Sequence, residues 1–202
     1  MIVCEQSAVP PALAALLVAG VSPVSAQDTI VQSEIAYYVQ TSAGQPTVCG
    51  IQFSMVYYDR TYRQAAIAGL KGTLGWIERD GQVGVIFKVC GFDFPNGSPQ
   101  IFRIPHAYLS ARNKAVPITA TYPCDGQPMG YCGEYWMSAS VDLYQGVIEN
   151  TLSINFQRER IGLDVSLSID TKSAAMAKPQ EYNDFSTCMV ALGDRAKRNL
   201  KK

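Results

Sequence analysis

The 202-residue chain has one histidine, His106, in the run Arg103-Ile104-Pro105-His106. A histidine base needs a hydroxyl or thiol to deprotonate and an acid to orient it. No G-x-S-x-G elbow occurs in the chain, and Ser110, the nearest serine in sequence, has no nucleophile-like context. His106 beside Pro105 reads as a strand-end residue, with a base served by distant partners as the alternative. Carboxylate pairs are the other route to hydrolysis, and glycosidases hold two acids roughly 5 to 9.5 Å apart. Glu134 and Asp142 flank a strand-like stretch and share a face by their even spacing. Eight residues of straight strand span about 26 Å, which is too far. Asp164 and Asp170 alternate with apolar residues and read as the solvated face of a strand.

Gly69, Gly72 and Gly75 are spaced G-x-x-G-x-x-G inside a strand pattern. That is neither a phosphate loop nor a dinucleotide fingerprint. Glycine there marks a bulge or a close backbone approach. No C-x2-C pair and no histidine pairing exists to build a zinc site. The residues therefore assign no catalytic group, no metal site and no cofactor.

Contact chemistry is denser at 122–144. Tyr122, Tyr131, Tyr135, Trp136 and Tyr144 surround the segment Cys124 to Cys132, with Asp125 and Glu134 nearby. Aromatics with a polar tip favour contact surfaces. A loop closed by a disulfide is preorganised, which lowers the ordering cost of binding. These five aromatics are the candidate binding residues, for a protein, small-molecule or glycan partner. The bland alternative is that Trp136 and some of the tyrosines fill the core. Tyr57, Tyr58 and Tyr62 form a second, weaker cluster.

The elements that must hold these groups are mostly strands. Cys49, Ile51, Phe53, Met55 and Tyr57 alternate with their neighbours at the period of a half-buried strand. Residues 66–77 and 82–90 flank Asp80-Gly81, a strong hairpin signal. Leu152, Ile154 and Phe156 form one arm of a second hairpin, and Ile161, Leu163, Val165, Leu167 and Ile169 the other. Weaker strands are expected over 30–39, 100–105, 116–122 and 134–144. Phe185, Cys188, Met189, Leu192, Ala196 and Leu200 recur at spacings of three and four, the stripe of an amphipathic helix. That helix is expected over 182–201, capped by Asn183 or Asp184 after Pro179.

The fold expected is mainly β: an antiparallel β-sandwich or partly open barrel with one C-terminal amphipathic α-helix. Lys and Arg total 17 and Asp and Glu 17, with 48% apolar and 17% charged residues. That composition excludes a disordered chain and a globally basic nucleic-acid binder. Ala12 to Val21 is an unbroken apolar run followed by Val24-Ser25-Ala26, the small-residue pattern of signal-peptidase cleavage. Residues 1–26 thus read as a cleaved signal peptide and 27–202 as a single β-rich domain, periplasmic or secreted. The apolar run is too short to span a bilayer, and no transmembrane helix is expected.

Export implies paired cysteines. Cys124–Cys132 is the best local bridge, and Cys49–Cys188 is the favoured long-range one because Cys49 and Cys188 both sit on apolar faces. That leaves Cys90 over, buried and inert or available to another chain. Arg195, Lys197, Arg198, Lys201 and Lys202 complement the helix dipole, with weak contact to an anionic surface as the sharper reading. The leading functional expectation is an exported, non-catalytic binding or envelope-associated protein. An exported hydrolase using His106 or a carboxylate pair, or an inhibitor presenting the short disulfide loop, are the alternatives.

Overall fold

The computed structural model describes residues 28–126 and 128–200. The signal-peptide expectation at 1–26, Gln27, Gln127 and the last two lysines lie outside them.

The chain runs β1 (Thr29–Ser42), β2 (Gln45–Asp59), β3 (Ala66–Arg79), β4 (Gln82–Asp93), a 3-10 turn at Pro95–Gly97, β5 (Gln100–Phe102), β6 (His106–Ala111), β7 (Lys114–Ala115), β8 (Ala120–Tyr122) and β9 (Tyr131–Trp136). Then follow α1 (Ser138–Ile148), β10 (Ser153–Gln157), β11 (Val165–Ser168), α2 (Thr171–Ala177) and α3 (Pro179–Asn199). One sheet of seven strands is ordered β1-β2-β3-β4-β9-β8, with β5 also on β4. A second sheet of four is ordered β11-β10-β6-β7. Every pairing is antiparallel. The expected sandwich-like, mainly β fold with a C-terminal helix is what forms.

Alternation decides the layers. Cys49, Ile51, Phe53, Met55 and Tyr57 of β2, with Leu70, Leu74 and Trp76 of β3 and Val85 and Phe87 of β4, are buried on one inner face. The second sheet covers part of it through Leu109, Ile154 and Phe156, and α3 covers the rest through Phe185, Cys188 and Leu192. Ring contacts mark the seam: Tyr57 meets Phe156 at 6.1 Å, and Trp76 meets Phe185 at 5.7 Å. The β3–β4 turn falls at Asp80 and Gly81, both with positive φ, as a two-residue hairpin requires.

Several elements depart from expectation. Residues 134–144 were expected as one strand, but β9 ends at Trp136 and α1 begins at Ser138. Met137, with φ of 59°, turns the chain between them. Glu134 and Asp142 therefore share no strand face. The second arm of the β10 hairpin starts at Val165, not Ile161, because β10 pairs only as far as Phe156 with Val165. Ile161 and Leu163, expected to be buried, are 92% and 73% exposed. Arg158, the next inward position after Phe156, is paired with two carboxylates just past the end of β10. Asp164 lies in that loop, where Tyr108 Oη–H donates to it at 2.6 Å. Pro179, expected just before the helix, instead opens α3 in the first turn, where its missing N–H costs nothing, so Asn183 and Asp184 lie inside the helix and do not cap it.

The bridges expected between Cys49 and Cys188 and between Cys124 and Cys132 are both present. Cys90 was expected to be left over; it is buried, and no described cysteine is a free thiol. The Cys49–Cys188 bridge spans 139 residues and ties α3 to β2, whereas the other closes eight. Chain entropy puts their contributions at about 5 and about 2.5 kcal/mol. In urea, the Cys49→Ala/Cys188→Ala protein should lose about twice the stability lost by Cys124→Ala/Cys132→Ala; equal losses would sink the chain-entropy account.

Asp170 caps α2 by accepting the Ser173 N–H at 3.0 Å. Its hydrogen bonds with Ser173 hold its carboxyl below the usual range. A depressed folded-state pKa contributes stability above the unfolded value, about pH 4, and loses it as pH falls through the folded one. Asp170→Ala should cost about 1 kcal/mol at pH 7 in thermal unfolding. The gap to the parent protein should close below pH 4.

Candidate functional site

The five sequence-nominated aromatics do not form one surface. Strand alternation sends Tyr131 and Tyr135 of β9 inward and Glu134 and Trp136 outward. Tyr135 is fully buried, and its hydroxyl oxygen accepts the Leu109 N–H at 2.9 Å. Burial pushes its phenol well above the ordinary value, so it stays neutral. Tyr131 packs on Phe87 and on His106. Tyr144 lies on α1, against Trp76 and Phe185. These three tyrosines pack in or against the core, and Trp136 does not.

Tyr122 and Trp136 remain on the outer face of the large sheet. The Trp136 indole lies where a Cβ at Gly84 would stand. Its Nε1–H donates to Glu134 Oε2 at 2.8 Å, and the Arg79 guanidinium sits 5.1 Å from its ring. These contacts lock the indole flat. Burial raises the Tyr122 phenol, with Glu134 and Asp125 adding to the effect.

The same rows of the sheet continue into a groove of about 490 Å³. Glu134 pairs with Ile86, which pairs with Gly75, then Gly50, then Tyr38. A side chain at Gly50 would collide with the Tyr38 ring, so glycine lets that ring lie along the sheet. Val48, Ile77 and Ile86 add apolar area, while Gln52, Thr73 and Lys88 form a polar row beside it. Burial pushes the Tyr38 phenol up to about 12, so it is a hydrogen-bond donor at neutral pH. Sequence reading missed Tyr38 and Lys88. The signal available was Gly50 and Gly75, two glycines facing outward on adjacent strands.

A second cluster was also missed. Arg158, with 8% of its side chain exposed, donates at 2.5 Å to Asp59 and at 2.5 Å to Asp93. Its guanidinium stacks 3.8 Å from the Phe102 ring centroid. Arg63 donates to the same Asp93 oxygen at 3.1 Å from the surface. Tyr57, beside this cluster, has a buried hydroxyl with no partner among the described residues. Burial and then the Asp59 charge push that phenol far up.

His106 is exposed at the start of β6, and its ring neighbours are Tyr108 and Tyr131. Among the described residues no carboxylate is hydrogen-bonded to it. No group of three or more His, Cys, Asp or Glu with metal-holding geometry occurs among the described residues. Of the basic tail, Arg195 donates to the Pro46 carbonyl and Lys197 pairs with Asp194 at 3.7 Å.

No family model matches the chain, and no curated protein or solved structure is significantly similar to it.

Removing the shared cation should separate a structural pair from a surface pair. Arg158→Met removes the guanidinium paired with buried Asp59 and leaves Asp93 with Arg63 alone, and it should cost about 3–5 kcal/mol in denaturant unfolding. Arg63→Gln, at a half-exposed position, should cost less than about 1 kcal/mol. Similar losses for the two variants would show that Arg158 is not the group holding the cluster.

Proposed function

We propose that the protein is an exported, non-catalytic binding or envelope-associated protein whose contact surface is the outer face of the large sheet. The observation that carries this reading is the flat platform there. Tyr38 and Trp136 lie along the sheet over glycines, flanked by the Gln52–Thr73–Lys88 row. The second sheet and α3 pack on the opposite face. Rings held flat before a partner arrives lose little freedom on binding. Apolar ring faces beside amide, hydroxyl and ammonium groups suit a glycan or a polypeptide segment.

Export is supported by the two disulfides, which form and persist in oxidising compartments. It is also supported by the leader-like pattern before Gln27. No helix of the described residues is long and apolar enough to cross a membrane.

Trp76 is fully buried and Trp136 is not, so fluorescence changes from a surface partner report on Trp136. The test uses protein recovered unreduced from outside the cytoplasm, with its N-terminus read by mass. The expected N-terminus is Gln27. N-acetylglucosamine tetramer and an extended peptide library serve as probes. One probe class should shift Trp136 emission saturably, and Tyr38→Ala and Lys88→Ala should abolish the shift while leaving unfolding midpoints nearly unchanged. An intact Met1 would end the export reading. A flat emission signal with both probe classes would end the outer-face reading.

A further inference from the structure

At the far end of the same outer face lies a separate cleft of about 460 Å³, between the β2–β3 connection and the turn after β4. Volumes of roughly 300–1,000 Å³ suit small organic ligands. Val56, Ile67, Phe94 and Pro95 make its walls apolar, and Arg63 and Asp93 are the charged groups at its rim.

These two charges are not equivalent. Asp93 already faces two guanidinium groups, from Arg158 and Arg63, so its charge is matched. The Arg63 side chain is 48% exposed and donates to Asp93 alone among the described residues, leaving most of its N–H donors open.

The loop that carries Arg63 is held under constraint. Gln64 and Ala65, which follow it, have φ of 53° and 68°, a region non-glycine residues seldom adopt. Such backbone persists only where its surroundings over-determine it, and it concentrates at functional sites. Two buried acids supply the constraint here. Asp28 accepts from the Arg60 N–H at 2.7 Å, the Thr61 N–H at 3.2 Å and the Thr61 hydroxyl at 2.7 Å. Asp59 accepts the Tyr62 N–H at 2.8 Å, and its backbone carbonyl accepts the Ala65 N–H at 2.8 Å. Arg63 is therefore presented at the cleft rim by a fixed frame.

We infer that this cleft binds a small amphipathic carboxylate, with its apolar body between Phe94, Ile67 and Val56 and its carboxylate on the Arg63 guanidinium. The planar guanidinium can grip a carboxylate through two parallel N–H bonds. An apolar ligand without the charge would leave those donors unused, and a cationic one would be repelled by Arg63.

Decanoate, below its micelle-forming concentration, is the probe. It is titrated into the unreduced protein by calorimetry, with amide shifts followed in an isotope-labelled sample. Saturable binding should move the Ile67, Phe94 and Gly97 amides. Arg63→Gln should weaken decanoate roughly tenfold, the size of one charge-assisted hydrogen bond. Arg63→Lys should recover part of the loss, and decanol should bind both proteins equally. Absence of saturation, shifts confined to the Tyr38–Lys88 groove, unchanged affinity of Arg63→Gln, or tighter binding of decyltrimethylammonium would each overturn the site. Should Arg63→Gln lose its circular dichroism signature, the parent protein still decides. An Arg63 Nε–H shift with decanoate and not with decanol supports the site, and the same shift with both overturns it.

Discussion

Covering one face of a seven-stranded sheet is the constraint from which the rest of this structure follows. The second sheet has four strands and cannot cover seven. The uncovered part of the inner face carries Tyr37, Cys49 and Trp76, side chains too large and apolar to leave in water. Helix α3 closes that gap with Phe185 against Tyr37 and Trp76, and Cys188 is covalently joined to Cys49 at the same place. The bridge acts mainly on the unfolded chain, by forbidding the separation of segments far apart in sequence. In the folded chain, packing of the α3 apolar stripe holds the helix down. The two effects reinforce each other because the same stripe carries both the cysteine and the phenylalanine.

What the sequence made legible was whatever depended on local period. The alternation in β2, the Asp80-Gly81 hairpin and the three-four spacing in α3 each report one element and which of its faces is buried. The long-range bridge was legible as well, since Cys49 and Cys188 each sat on a face already read as apolar. What stayed hidden depended on residues meeting across the fold. Residues 134–144 carry aromatics at strand-like spacing, yet the chain turns at Met137 and continues as a helix whose Leu143 and Val147 face the core. Ile161 and Leu163 fit a strand perfectly by period. Pairing nonetheless stops at Phe156 with Val165, and the next inward position, Arg158, meets Asp59 and Asp93 from strands far away in sequence. Periodicity carries no information about such a partnership.

The candidate site shows the same division. The aromatic richness of 122–144 was visible, but a strand has two faces, and alternation divided the set. Tyr131 and Tyr135 went to the core, while Trp136 went to the surface. The positions that let Trp136 and Tyr38 lie flat come from β4 and β2, whose contribution is glycine. Glycine in a strand weakens the strand and is commonly read as a local defect. Here Gly50 and Gly84 give up a side chain so that a neighbouring ring can lie on the backbone, which is legible only once the register is known.

The outer face has different chemistry at its two ends, and the contrast follows from how each end is supported. At the Trp136 end the rings rest on regular strand, and the polar row beside them is set by register alone. At the Arg63 end the strands give way to a connection with two successive left-handed residues, and regular pairing can no longer position anything. Buried carboxylates take over that task. Asp28 and Asp59 replace the missing ladder bonds by accepting the N–H groups of the turn, and Arg158 balances the charge this brings inside. Burying two carboxyl groups and a guanidinium to shape one short connection is expensive, since desolvation opposes charge there. Apolar residues of similar volume would fill the same space at less cost but would leave the N–H groups of Arg60, Thr61 and Tyr62 unsatisfied. The acids are therefore tied to the shape of the loop, and that shape presents Arg63 at the mouth of an apolar cleft.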